Sequence, residues 1–186
     1  MKEPNWKTCS ENELWEYVAW FLGKNGISTI LVGGSVVSIY TKGAYTSGDL
    51  DIVVESYQIT FEEIENILKQ INFTKTGTRN YFKHPHCDHI LIEFMSPPVA
   101  IGEDYKIKPR EIEIDKVIIK ILSPTDCIKD RLASYLYFNA RECLDQAGLV
   151  ASSQTYNIRA IKKWCENEGQ NGIAVFEDFK NMVTNK

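Results

Sequence analysis

The stretch Thr29–Glu55, TILVGGSVVSIYTKGAYTSGDLDIVVE, constrains this chain more than any other. Ile30-Leu31-Val32 is a short apolar run of the kind a buried strand makes. Gly33-Gly34-Ser35 breaks it, and Val36 to Tyr40 resume with apolar residues at mixed spacing. A Gly-, Thr- and Ser-rich loop runs from Gly43 to Gly48. Asp49-Leu50-Asp51-Ile52-Val53-Val54 then alternates acid with apolar before running on unbroken, as a strand does.

Two carboxylates at i and i+2 on a strand share a face, about 6 to 7 Å apart. Like charges that close repel, and divalent cations supply the missing positive charge. Mg²⁺ is a hard ion that takes carboxylate oxygens together with substrate phosphates. The two glycines ahead let backbone approach a ligand without a Cβ in the way. Amides at the following helix start offer an anion site, with the Ser35 hydroxyl beside it. Phosphate cradle and acid pair in succession suit a nucleoside triphosphate. The plain alternative is two solvated aspartates after an ordinary glycine turn, and either half alone would favour it.

A length of 186 residues allows one sizeable domain, or a compact domain with a helical extension. With 44% apolar and 25% charged residues the composition is globular. The longest uncharged stretch, Asn25 to Thr41, is too short and too polar to span a bilayer. No apolar signal core follows Met1, so the chain reads as cytoplasmic. Its five cysteines lack any CxxC pair and read as free thiols, mostly buried. A formal charge of −4 argues against broad binding to nucleic acid, though not against a local basic groove.

Ser10 with Glu13 has capping-box spacing, opening a helix to about residue 24 with Leu14, Tyr17, Val18, Phe21 and Leu22 on one stripe. Thr60 to Asn72 reads as a second amphipathic helix and Phe73 to Phe82 as strand around Gly77. All three histidines (His84, His86, His89) then cluster beside Cys87 and Asp88. A turn between two strands accounts for them; a zinc site is the alternative, set against it by Pro85 and by the lack of a second ligand pair. Ile90 to Met95 is an apolar strand carrying one acid, Glu93, which is costly to bury without a partner. Either it has one or it points outward from an edge strand. Glu111 to Leu122 reads as a further strand. Ser123-Pro124-Thr125-Asp126 is a helix start at a seam between a core of residues 1–122 and a helical part of residues 123–186. One helical pattern runs from Pro124 to Ala147, with Gly148 able to end or interrupt it, and a short helix closes the chain.

Gly33-Gly34-Ser35, thirteen residues, then Asp49-Leu50-Asp51-Ile52 resembles the signature of the DNA polymerase β-like nucleotidyltransferase superfamily. The phrase LSPTDCIKDRLASYLYFNARECLDQA looks like the helical part of bacterial members grouped with the abortive-infection (AbiEii-type) toxin enzymes. The resemblance implies an α+β nucleotidyltransferase fold, a mixed sheet with flanking helices followed by a C-terminal helical part. It implies two divalent ions, Mg²⁺ or Mn²⁺, held by Asp49, Asp51 and Glu93 as the third acid, with Gly33, Gly34 and Ser35 on the triphosphate. By position Arg131 is the basic residue that reaches the triphosphate, with Arg141 and Asp145 as the later pair. Many members carry an arginine shortly before the acid pair, and Ala44-Tyr45-Thr46-Ser47 has none. Phosphate contacts then fall to Lys42, the backbone or Arg131.

The expected activity is transfer of an NMP from an NTP to an acceptor that is RNA, protein or a small molecule. The toxin resemblance adds an antitoxin as a candidate partner. The competing reading is a catalytically idle nucleotidyltransferase fold serving as a nucleotide- or partner-binding module. A zinc protein built on the histidine cluster is a third.

Overall fold

Ser10 and Glu13 cap the first helix reciprocally. In the computed structural model, which describes residues 1–77 and 80–184, the Glu13 amide donates to the Ser10 hydroxyl at 3.2 Å and the Ser10 amide to the Glu13 carboxylate at 2.8 Å. This satisfies amides that a helix start otherwise leaves without partners. The helix α1 (Glu11–Lys24) buries Leu14, Tyr17, Val18 and Leu22 of its predicted stripe, and Trp15 and Trp20 besides, while Phe21 is only half-buried.

Among the described residues, seven strands form one mixed sheet: β1 (Thr29–Val32), β2 (Asp49–Val54), β3 (Thr74–Thr76), β4 (Tyr81–His84), β5 (Cys87–Met95), β6 (Arg110–Ile114) and β7 (Val117–Ile121). Their order is β3-β4-β5-β2-β1-β7-β6. β2 pairs β5 and β1 pairs β7 in parallel; the other neighbours are antiparallel. Leu31, Leu50, Ile52, Phe82, Ile92 and Phe94 are fully buried or nearly so. α1 packs on β7, β1 and β2.

Between β1 and β2 runs α2 (Gly33–Tyr40); after β2 comes α3 (Phe61–Leu68) with a 3-10 turn at Lys69–Ile71. Thr60 and Glu63 form a second capping box there. Asn72, in the left-handed region at φ 64°, ends this segment. The helical half contains α4 (Pro124–Phe138), α5 (Arg141–Ser153), α6 (Ile158–Asn167) and α7 (Gly169–Thr184), and Ser123 caps α4 through the Asp126 amide as expected.

Three sequence expectations are corrected. The strand expected over residues 111–122 is a hairpin, because Asp115 and Lys116 both take positive φ, 46° and 67°, and reverse the chain. The helical run expected from Pro124 to Ala147 breaks at Asn139, left-handed at φ 52°, while Gly148 sits buried inside α5. The last helix is not short: it has 16 residues. Of the strand read over 73–82, positions 78 and 79 lie outside the described residues.

The chain divides into two compact units. The first comprises Met1–Ser35, Ser47–Val99 and Arg110–Ile121, hence the whole sheet. The second comprises Val36–Thr46, Ala100–Pro109 and Leu122–Lys186. In the second, α4 packs against α5 and α6 against α7. The Tyr40 hydroxyl donates to the Leu122 carbonyl at 2.6 Å, Gln154 to the Tyr40 carbonyl at 2.8 Å, and the Trp164 indole to the Ile101 carbonyl at 3.0 Å. These bonds tie segments distant in sequence to the helices.

Left-handed backbone costs a residue with a Cβ roughly 1 to 2 kcal/mol, and a β-branched side chain tolerates it least. Lys116→Gly should therefore raise the urea midpoint, by about 1 kcal/mol in stability, and Lys116→Val should lower it.

Candidate active site

The acid pair and the third acid come together through strand register. Asp49 pairs with Leu91 and Asp51 with Glu93 across the parallel β2–β5 junction. Paired residues of neighbouring strands lie about 4.8 Å apart and face the same side. Asp49 and Asp51, at i and i+2, share that side. Ile92 and Phe94, which flank Glu93, are buried on the other. All three carboxylates are half-buried on one face, so Glu93 is no outward residue on an edge strand: β5 has a neighbour on each side.

Register also delivers the glycine turn. Val32 pairs with Asp51 in the antiparallel β1–β2 ladder, so the chain leaves β1 beside that carboxylate. Gly33 takes φ +75°, and a Cβ on it would collide with the Asp51 carboxylate. Glycine is required twice over, for conformation and for space. α2 starts at Gly33 with its first amides free of intrahelical partners, the arrangement that binds anions. Ser35 is fully buried, and its hydroxyl donates to the Val32 carbonyl at 3.3 Å.

A residue that the sequence reading passed over anchors the approach to Asp49. Glu11, buried at the start of α1, accepts from the Ser47 amide at 2.9 Å and the Gly48 amide at 2.6 Å through one oxygen. The Ser47 hydroxyl donates to Asp49 Oδ1 at 2.7 Å. Glu11 thus fixes the loop end from which Asp49 projects. An acid in a first helical turn reads from sequence as a dipole partner, so this tertiary role gave no signal.

The expected basic residues all belong to the second unit. Lys42 is exposed at φ 53°. Arg131 is held by Asp130 at 2.6 Å and by Gln146 at 3.3 Å. Burial works against its charge, but the Asp130 carboxylate more than offsets this and keeps the guanidinium above its ordinary value. Arg141 and Asp145 line a cavity of about 390 Å³ with Tyr135, Leu144, Asp178 and Asn181. Lys129, two residues before Arg131, is a buried cation that sequence inspection missed, held by Asp126 at 3.0 Å and Asp104 at 3.6 Å.

The histidines do not converge on one point. His84 is buried and stacks on Trp6 with ring centroids 4.0 Å apart, and burial, then His86, holds it below the usual imidazole value. It is a core residue. The five cysteines are buried and free, as expected. Burial, with Cys87 adding to it, pushes the Cys9 thiol up to about 12, and burial raises Cys165 to about 12 as well. Such thiols are poor nucleophiles at neutral pH.

The fold as a whole is similar to that of solved structures. A nucleotidyltransferase-like antigenic protein from Paracoccidioides brasiliensis superposes with a TM-score of 0.62 at 15% identity, covering 95% of this chain and 88% of that one. ANT(2″)-Ia in complex with adenylyl-2″-tobramycin superposes with a TM-score of 0.51 at 12% identity, covering 90% and 95%. This is a nucleotidyltransferase fold. No protein-family model and no curated protein matches the chain. Within the nucleotidyltransferase fold, the two likenesses say nothing for an abortive-infection branch.

Gly33→Ala should lower the melting temperature, since it both strains the turn and displaces Asp51. Glu11→Ala should lower it too, since it leaves the Ser47 and Gly48 amides without their acceptor. Scanning calorimetry of both variants checks this.

Proposed function

We propose that the chain is a divalent-metal-dependent nucleotidyltransferase that moves an NMP from an NTP to an acceptor hydroxyl. The observation that carries this reading is the in-register face of Asp49, Asp51 and Glu93 beside the Gly33 turn. Three oxygen-donor carboxylates set side by side are a donor set that suits Mg²⁺ or Mn²⁺. When bound, such ions neutralise these acids and the triphosphate and polarise the reacting oxygens. Asp51, between Val32 and Glu93 in the sheet, is the central acid, next to Glu93 across the ladder and to Asp49 along its own strand. The amides of Gly33, Gly34 and Ser35 hold phosphate oxygens as the acceptor hydroxyl gives up its proton to water, its oxygen bonds to the α-phosphorus and pyrophosphate leaves. Ser47, held by Glu11, orients Asp49.

Of the three acceptor classes, a small molecule stands first. The bound molecule of ANT(2″)-Ia is an adenylylated small molecule, and a charge of −4 disfavours an extended RNA track. A toxin with an antitoxin partner rests on the resemblance of the helical half alone.

One observation favours the idle-module reading: Arg131 is engaged by Asp130 and Gln146, and residues 44–47 supply no arginine in its stead.

Incubation with α-labelled NTPs, Mg²⁺ or Mn²⁺ and fractionated cell extract separates the two. The expected result is label in one acceptor fraction, reduced at least about 100-fold by Asp51→Asn, a loss of the size found when transition-state charge stabilisation is removed. Equal labelling by Asp51→Asn would sink the mechanism. Metal-dependent binding without transfer would favour the module.

A further inference from the structure

Cys87 and His89 stand two residues apart on β5, so their side chains leave the same face of the strand. Cys9, 78 residues before Cys87, meets them there from the N-terminal segment. The two sulfurs are 3.9 Å apart, Cys87 Sγ is 3.8 Å from His89 Nδ1, and the three ligand atoms all lie within 4.8 Å of one another. A tetrahedral ion with bonds of about 2.3 Å to sulfur and about 2.0 Å to nitrogen sets its ligand atoms about 3.5 to 3.8 Å apart. The observed spacings are close to those edges. They are far from the sulfur–sulfur bond of a disulfide, about 2.0 Å.

The imidazole is oriented for the same role. His89 Nε2 lies 2.9 Å from the Cys9 carbonyl oxygen. A carbonyl only accepts, so Nε2 carries the hydrogen and Nδ1 keeps its lone pair on the side of the sulfurs. Donation of the remote ring N–H to a backbone carbonyl is how metal-bound histidines are held.

We infer that Cys9, Cys87 and His89 form a binding site for a soft, tetrahedral divalent cation, zinc above all. Two sulfurs and one imidazole nitrogen select such an ion over Mg²⁺, which takes oxygen donors. The fourth position falls to water or to Asp88, whose Oδ1 is 3.9 Å from the same Nδ1. Glu93 lies four residues beyond His89, about 13 Å along β5, and Asp49 is paired with Leu91, two residues beyond it, so the sulfur and imidazole donors form a set of their own next to the oxygen donors. Its place suggests its work. Cys9 precedes by two residues the Glu11 that holds the Ser47–Gly48 loop, so an ion here clamps the N-terminal segment to the sheet.

The test takes the reduced, untagged full chain, measures zinc per chain by mass spectrometry and titrates Co²⁺ into metal-free protein. The expected result is close to one zinc per chain, and a thiolate-to-cobalt charge-transfer band with the ligand-field pattern of a tetrahedral ion. Cys9→Ala and Cys87→Ala should abolish both. His89, with 40% of its side chain exposed, tolerates His89→Gln without loss of fold, and that variant should bind zinc at least about tenfold more weakly. Asp51→Asn should keep its zinc, whatever becomes of nucleotide transfer. Absence of zinc and of the charge-transfer band in the wild-type chain would overturn the inference. So would unaltered zinc affinity in His89→Gln, or a Cys9–Cys87 disulfide in place of a metal.

Discussion

The pairing of β2 with its two neighbours is the constraint on which the rest depends. Antiparallel to β1, it sets Asp51 opposite Val32, so the turn after β1 begins against that carboxylate. Parallel to β5, it sets Asp51 beside Glu93. A slip of one residue in either ladder would turn a whole strand's side chains to the other face. The buried alternation of Leu50, Ile52, Ile92 and Phe94 prevents that slip. The apolar core thus fixes three carboxyl groups side by side, on the opposite face from the residues that hold them there.

Around that sheet the N-terminal residues act as a brace. Ser10 and Glu13 fix where α1 begins, and its first residue reaches the loop before Asp49. Trp6 lies edge-on to Phe73 and stacked on His84, so the segment before α1 is packed on the β4–β5 hairpin. Cys9 and His89 extend the same contact. Position at the carboxylates is therefore set by residues near the chain's start as well as by the motif itself.

What could be read from sequence was local. The capping box at Ser10, the helix cap at Thr60 and the Ser123 start are signals spanning three or four residues, and each marks a helix. The Gly33 turn and the Asp49–Asp51 strand were legible for the same reason. What could not be read was either unusual or distant. Asp115-Lys116 reverses the chain without the glycine or asparagine that normally marks such a turn. Asn139 breaks a helical run whose apolar spacing continues across it. Glu93 was legible as an acid in an apolar strand, but its place beside Asp51 is a matter of register. Glu11 over Ser47, and Cys9 against Cys87 and His89, join residues 36 or more positions apart, and no local pattern encodes them. Three histidines in one stretch suggested a cluster; the strand period sends His84 into the core and leaves only His89 with the thiols.

The proposed activity requires Asp49, Asp51 and Glu93 to bind divalent metal together with a triphosphate whose phosphates rest on the α2 amides. Crystals grown with Mn²⁺ and a non-hydrolysable NTP analogue, with diffraction recorded at the manganese edge, address it directly. Anomalous peaks within bonding distance of these three carboxylates, with phosphates against Gly33 and Gly34, are the predicted result. A nucleotide bound elsewhere, or one bound at α2 with no ion at the three acids, would contradict it.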